Sequence, residues 1–129
     1  MIIAVKRIVV AGSRCFHDYA LAENYINFCI RELYPRYTLV FLSGCCSGAD
    51  MIGEQYAREH GFKVEYYPAQ WERFGRFAGP IRNDEMAKNC DYVICFWDGK
   101  RKGTRSMINC AKKYNKPLKN KMVCADKSQ

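Results

Sequence analysis

Four short segments combine small, hydroxyl-bearing and cationic residues, the mixture that a phosphate-bearing ligand needs. In Gly12-Ser13-Arg14-Cys15-Phe16-His17-Asp18, a glycine lets the chain turn tightly before a hydroxyl and a guanidinium that can face an anion. The strict G-x-G-x-x-G fingerprint is absent, so a purely structural turn is an equal reading. Ser43-Gly44-Cys45-Cys46-Ser47-Gly48-Ala49-Asp50 reads as small residues leading into a helix, whose amides and dipole suit a phosphate or ribose. Residues 68–83 read as a long loop of aromatics and arginines. There Trp71 or Phe74 can stack on a base, and Arg82 and Asn83 can reach a phosphate or ribose. Core packing is the competing role for Trp71. Trp97-Asp98-Gly99-Lys100-Arg101-Lys102-Gly103-Thr104-Arg105 reads as a flexible basic turn opening a helix. Its amides, the Thr104 hydroxyl and nearby cations make it the best anion site of the four.

Acidic groups are fewer. Asp50 either caps the helix it begins or accepts hydrogen bonds from sugar hydroxyls, and the two roles are compatible. Asp50, Glu54, Asp84 and Glu85 are the candidate catalytic carboxylates if the ligand is turned over. His17 and His60 show no partnered spacing and read as incidental. Cysteines 15, 29, 90, 95, 110 and 124 are scattered, Cys45 and Cys46 are adjacent, and no C-x-x-C pair offers a zinc or redox set. Reduced thiols are expected, several of them buried as small hydrophobes, and neither a metal nor a cofactor is expected.

These segments follow the strands of a repeating unit. Residues 6–11 and 38–42 are β-branched or apolar runs, each ending at a small-residue turn; residues 62–67 and 92–97 repeat the pattern, and 122–124 add a short edge strand. Between them, the residues from Tyr19 to Leu33 place Ala22, Tyr25, Ile26, Cys29, Ile30 and Leu33 at helical spacing, with Asp18 as N-cap and Pro35 closing the helix. Further helices are predicted over 50–59, 80–88 and 104–114. Alternating strands and helices imply parallel βαβ units: an α/β fold, a three-layer Rossmann-like sandwich with a mostly parallel sheet of four or five strands. In such sheets ligands bind beyond the carboxyl ends of the strands, where the four segments lie. The expected organisation is one domain over residues 1–124 and a short tail over 125–129.

Composition narrows the partners. Residues 1–99 carry 11 basic and 12 acidic side chains, whereas 100–129 carry 10 basic and one acidic, so the net charge of +8 comes from the final quarter. Lys112, Lys113, Lys116, Lys119 and Lys121 read chiefly as a solvated helix face and tail; a nucleic-acid contact is the alternative. The apolar start, Met1 to Gly12, is interrupted by Lys6 and Arg7, and is expected to be neither a signal peptide nor a membrane span. The expected location is the cytoplasm, or the host cytoplasm for a viral protein. Nine tyrosines and seven phenylalanines leave room for a homodimer or higher homo-oligomer that buries some of them.

In order along the chain, Gly12-Ser13-Arg14-x-Phe16-x-Asp18, Ser43-Gly44-x-x-Ser47-Gly48-Ala49-Asp50, Pro68-Ala69-x-Trp71, Ala78-Gly79-Pro80-x-Arg82-Asn83-x-x-Met86 and Phe96-Trp97-x-Gly99-x-x-x-Gly103-Thr104 resemble the YspA-like, cpYpsA-related branch of the SLOG superfamily. The resemblance implies a Rossmann-like fold and a nucleotide-derived ligand. It also places Lonely-guy phosphoribohydrolases and the single-stranded-DNA-holding DNA-processing protein A group nearby. Most close relatives are bacterial or phage proteins. Arg82 with Met86, and Gly103 with Thr104, are similar to Lonely-guy positions, but Met107 stands where that pattern has its catalytic glutamate. A thioether is no general acid or base, so the expectation leans away from an enzyme. The ligand set is Gly12, Ser13, Arg14, Phe16, Ser43, Gly44, Ser47, Gly48, Asp50, Trp71, Arg82, Asn83, Trp97, Gly103 and Thr104. The expected function is to bind a nucleoside phosphate or ADP-ribose-like molecule, as a sensor or a sink for a nucleotide signal. The alternatives are an N-glycosidic hydrolase and a single-stranded DNA-binding module.

Overall fold

Side-chain alternation along the strands accounts for the layers. The computed structural model describes residues 4–123. Its strands are β1 (Val5–Gly12), β2 (Thr38–Ser43), β3 (Lys63–Tyr66), β4 (Tyr92–Trp97) and β5 (Leu118–Met122). Between them run α1 (Tyr19–Ile30), α2 (Ala49–Glu59), the single turn α3 (Trp71–Phe74), α4 (Ala78–Asn89) and α5 (Lys102–Lys113). Ile8, Val10, Leu39, Phe41, Ile94 and Phe96 enter one core with α1 and α2, whereas Val9, Ala11, Val40, Leu42, Val93 and Cys95 enter a second with α4 and α5. Successive strand residues point to opposite faces, so an unbroken apolar run requires helices on both sides. The result is the three-layer α/β sandwich expected from the sequence.

The strand order is β3-β2-β1-β4-β5, and every neighbouring pair is parallel. From β1 the chain builds outward through β2 and β3, then crosses to β4 and builds the other way. The helices after β1 and the one after β4 therefore diverge, and a crevice opens beyond the ends of these two strands. Gly12 closes that end: a Cβ there would lie 2.2 Å from the Phe96 carbonyl oxygen and 2.9 Å from Ala49 Cβ. No larger residue lets β1, β4 and α2 approach so closely.

Several boundaries move. α1 stops at Ile30 rather than Leu33, and the Leu33 and Tyr34 amides both donate to the Ile30 carbonyl in tight turns. Pro35 disfavours helix only at the residue before it, Tyr34, and so does not set the end at Ile30. Residues 68–83 are not one long loop: only 68–70 are irregular, and α3, a 3-10 turn over Gly75–Phe77 and the first half of α4 fill the rest. Pro80 sits in the first turn of α4, where its missing N–H costs nothing. α5 begins at Lys102, ahead of Thr104, and ends at Lys113. The last strand is Leu118–Met122 rather than 122–124, so Lys119 and Lys121 belong to a strand and not to a helix or tail. Strand propensity is low in Leu-Lys-Asn-Lys-Met; pairing with β4 supplies the order, and lysines on an edge strand deter pairing with other chains. Cys124 and the tail over 125–129 lie outside the described residues. Seven of the cysteines are free thiols among the described residues.

One polar pair sits inside this packing. The Ser43 hydroxyl at the end of β2 donates to the buried Glu54 carboxylate of α2 and accepts from the Cys45 amide at 3.1 Å. Ser43→Ala leaves a buried carboxylate without that donor, and a loss of about 2 kcal/mol is expected. Chemical denaturation of the two proteins would measure it, and an unchanged midpoint would contradict the assignment.

Candidate functional site

The crevice at the strand ends is a cleft of about 270 Å³, with Ala11 and Gly12 at the end of β1, Asp50 of α2, Arg82 and Asn83 of α4, and the first turn of α5 around it. Four cations reach it: Arg14, Arg82, Arg101 and Lys102. Asp50 is the single carboxylate among the lining residues, and Met86 and Met107 form an apolar wall. Such a balance favours an anion.

The first turn of α5 is open. Arg101 is its N-cap and provides no side-chain cap bond. Among the described residues, the amides of Lys102, Gly103 and Thr104 have no hydrogen-bond acceptor, while the Arg105 amide is the first to be taken, by the Arg101 carbonyl at 3.3 Å. Free first-turn amides and the helix dipole attract negative charge. The preceding turn is preorganised by Asp98, whose Oδ1 accepts from the Lys100 and Arg101 amides at 2.9 and 3.0 Å and whose Oδ2 accepts from Arg101 Nε at 3.3 Å. Burial works to raise the Asp98 carboxyl, but these two amides and the guanidinium outweigh it and hold it below the usual carboxylate range.

Arg82 spans the neighbouring wall. Its Nη1 donates to the Gly44 carbonyl and, at 3.5 Å, to the Tyr67 carbonyl, and its Nε donates to Asn83 Oδ1 at 2.9 Å. Asn83 in turn donates to the Gly103 carbonyl at 3.3 Å and to Ser106 Oγ at 3.2 Å, which ties α4 to the open end of α5. The Cys46 thiol lies between two guanidiniums, 3.7 Å from Arg14 Nη2 and 3.9 Å from Arg82 Nη2.

Asp50 faces them from the start of α2. It is only 7% exposed, and its Oδ2 accepts from the Cys46 amide at 3.2 Å. Among the described residues Oδ1 has no donor. Burial pushes the carboxyl up to about 6, against the Cys46 amide and the positive charges of Arg82 and Arg14, and Glu54 adds to the rise. The carboxylate thus combines a free acceptor with titration near neutrality. Gly48 allows α2 to begin here: at φ +77° it takes a left-handed conformation, and a Cβ would lie 2.3 Å from the Ser13 carbonyl oxygen.

Of the residues singled out in the sequence, Gly12, Arg14, Asp50, Arg82, Asn83, Gly103 and Thr104 meet at this cleft. The other members of the ligand set do not line it. Ser13 is a staple: its amide donates to the Phe96 carbonyl at 2.9 Å, its carbonyl accepts from the Ala49 amide at 3.2 Å, and its Oγ accepts from the Asp98 amide at 3.3 Å. Phe16 is buried against Phe96, with ring centroids 5.0 Å apart. Ser43 is turned to Glu54, Gly44 offers its carbonyl to Arg82, Gly48 caps α2, and Ser47 is exposed. Trp97 braces the basic turn, its Nε1 donating to the Arg101 carbonyl at 3.0 Å. Trp71 is on the surface, 51% exposed, and not in the core. Glu54 is buried and accepts from the Ser43 hydroxyl, Glu85 lines a separate groove, and Asp84 accepts from the Tyr114 hydroxyl at 2.8 Å and pairs with Lys113. Met107, at the Lonely-guy glutamate position, lines the cleft. Sequence reasoning left Cys46, Arg101 and Lys102 out of the ligand set; the basic run before Gly103 was the signal for the last two. No three His, Cys, Asp or Glu side chains gather into a metal set among the described residues.

The YspA, cpYpsA-related SLOG family model matches residues 6–74, which span the first two of these loops and the start of the third segment. The chain belongs to this family. The SLOG match ends before Arg82 and the α5 turn, so that half of the cleft rests on geometry. A relative in Mycobacterium phage D29, the Gene 61 protein, is 34% identical over 128 residues, covering 90% of this chain and 96% of that protein. The fold is similar to DNA processing protein A from Streptococcus pneumoniae, with a TM-score of 0.65 and 21% identity over 91% of this chain. The SLOG chain spans half the length of that protein. It is also similar to DNA processing protein A from Helicobacter pylori, with a TM-score of 0.64 and 21% identity, covering 96% of this chain and 69% of that one. The Helicobacter structure describes a single-stranded DNA binding mode for that protein. No helix among the described residues is long and apolar enough to cross a membrane.

Proposed function

We propose that this SLOG-family protein binds a nucleotide-derived ligand, a nucleoside phosphate or an ADP-ribose-like molecule, in the cleft between Arg82 and the first turn of α5. One juxtaposition carries the reading: three helix amides that have no acceptor among the described residues, and four cations, line the same cleft as a buried carboxylate with one oxygen that has no donor among those residues. The phosphate sits on the Gly103 and Thr104 amides with Arg82, Arg14 and Arg101 around it. Asp50 accepts from ribose hydroxyls. The protein acts in the cytoplasm, a host's if it is viral, as a sensor or sink for a nucleotide signal. Titration calorimetry with AMP, ADP-ribose and cyclic ADP-ribose is expected to show saturable binding, displaced by inorganic phosphate. Absence of heat with all three at high protein concentration would remove the reading.

Two other readings each have an observation behind them. Asp50, titrating near 6 within the cleft, has the character of a general acid or base, which favours a nucleotide-processing reaction. Chromatography of AMP and ADP-ribose after incubation separates this from binding, because binding returns the ligand intact. The likeness in fold to the Helicobacter protein favours single-stranded DNA, whose affinity would fall steeply with salt. The nucleotide reading stands first because the cleft cations converge on one small concavity. The C-terminal lysines are dispersed, with Lys113 paired to Asp84 and Lys116 donating to the Lys88 carbonyl.

A further inference from the structure

On the far side of Arg82 lies a second concavity of about 350 Å³, between the end of β3, α3 and α4. Its walls include Tyr66, Tyr67, Phe74 and Ile81, with the Glu85 carboxylate at one side. Tyr66 is 59% exposed and Ile81 41%, so apolar and aromatic surface is left open to solvent. Arg82 is the cation among its lining residues, and the Arg73 guanidinium lies 4.8 Å from the ring centre of the lining Phe74. Aromatic rings beside cations form the surface on which a nucleobase stacks.

Arg82 belongs to both concavities. Its Nη1 donates both to the Gly44 carbonyl and to the carbonyl of Tyr67, which lines the groove. A phosphate held in the cleft is therefore one side chain away from an aromatic groove, with positive charge along the path between them.

We infer that the α3–α4 groove is a subsite for the second aromatic base of a dinucleotide-type ligand whose phosphates occupy the cleft. This rests on the nucleotide reading of the cleft and narrows it: the preferred ligand carries a base on each side of its phosphates. Glu85 offers an acceptor to N–H groups on the edge of that base. Stacking contributes about 1–3 kcal/mol per base, or roughly 5- to 150-fold in affinity.

Three probes separate the contributions in calorimetry: AMP, ADP-ribose, and diadenosine 5′,5′-diphosphate, which adds to ADP-ribose the second base. The native protein is expected to bind the diadenosine compound at least about tenfold more tightly than ADP-ribose. Phe74→Ala is expected to abolish that difference and leave the affinities for AMP and ADP-ribose unchanged. Because Phe74 is half-buried, the exposed Tyr66→Ala serves as a second variant, expected to reduce the difference without altering the thermal midpoint. Equal affinity of the native protein for the diadenosine compound and ADP-ribose, with AMP bound, would overturn the groove subsite and leave the cleft reading standing. A preserved difference in both variants would also overturn it. Tighter binding of a short single-stranded oligonucleotide than of the diadenosine compound, steeply salt-dependent, would replace it with a nucleic-acid surface. Failure of all the nucleotides to bind would remove cleft and groove together.

Discussion

Asp50→Asn is expected to stabilise the protein near pH 7 by about 3 kcal/mol, roughly 10 °C in thermal midpoint, and to have no such effect in acid. Burial raises the Asp50 carboxyl from 3.8 to about 6. Between those values the folded protein holds a proton that the unfolded chain has released. The stability associated with the neutral carboxyl is fully present below 3.8 and is lost as the pH rises through about 6. At neutral pH the folded state therefore carries a desolvated charge. Asparagine is neutral throughout, and its oxygen can still accept from the Cys46 amide, so the variant escapes this cost only where aspartate is ionised. Thermal unfolding of both proteins across the acid-to-neutral range checks it. A constant offset between the two curves would mean that Asp50 is not desolvated in the way its burial implies. A carboxylate kept against stability is the mark of a group retained for its chemistry.

Arg82→Lys is expected to weaken AMP binding by about 100-fold, and Arg82→Ala by at least as much, without preventing folding. A hydrogen bond to a charged group contributes about 1.5–3 kcal/mol, and the upper part of that range corresponds to a hundredfold in affinity. Lysine keeps the charge and loses the planar fork. It cannot satisfy the Gly44 carbonyl and Asn83 Oδ1 together while presenting a donor to the cleft. The alanine variant has a second consequence. Arg82 is one of the charges that lower the Asp50 carboxyl, so its removal moves the Asp50 titration further upward, visible by carboxyl NMR. Full AMP affinity in Arg82→Lys would show that a point charge suffices and that the fork plays no part.

The layers were legible because they depend on periodicity. Runs such as Ile8-Val9-Val10-Ala11 and Val93-Ile94-Cys95-Phe96 can be buried only between two helical layers, and the intervening helices have apolar residues at matching spacing. Segment 68–83 has the sequence of a loop because α3 has four residues, below the length at which spacing is informative. The β5 strand was displaced for a similar reason: its residues have little preference for a strand, and the pairing with β4 decides. Residue type picks out Arg14, Asp50, Arg82, Gly103 and Thr104, which the fold brings to one cleft. It could not separate them from Ser13, Ser43 and Phe16, which have equally suitable chemistry and are turned inward to Asp98, Glu54 and Phe96. In the sequence Asp98 is one residue of a basic turn, and its organising role depends on the fold of that turn.

The amino-acid sequence alone determined the α/β class, the family pattern and the fact that cationic and small residues follow the strands, because these are local properties of spacing and type. Tertiary structure decided which of those residues share a cleft, that Asp50 is desolvated beside Arg82, and that Arg82 separates the cleft from an aromatic groove. Residues as distant along the chain as Arg14 and Lys102 meet only because the strand order reverses between β1 and β4. Burial and electric field belong to that meeting, not to any one segment.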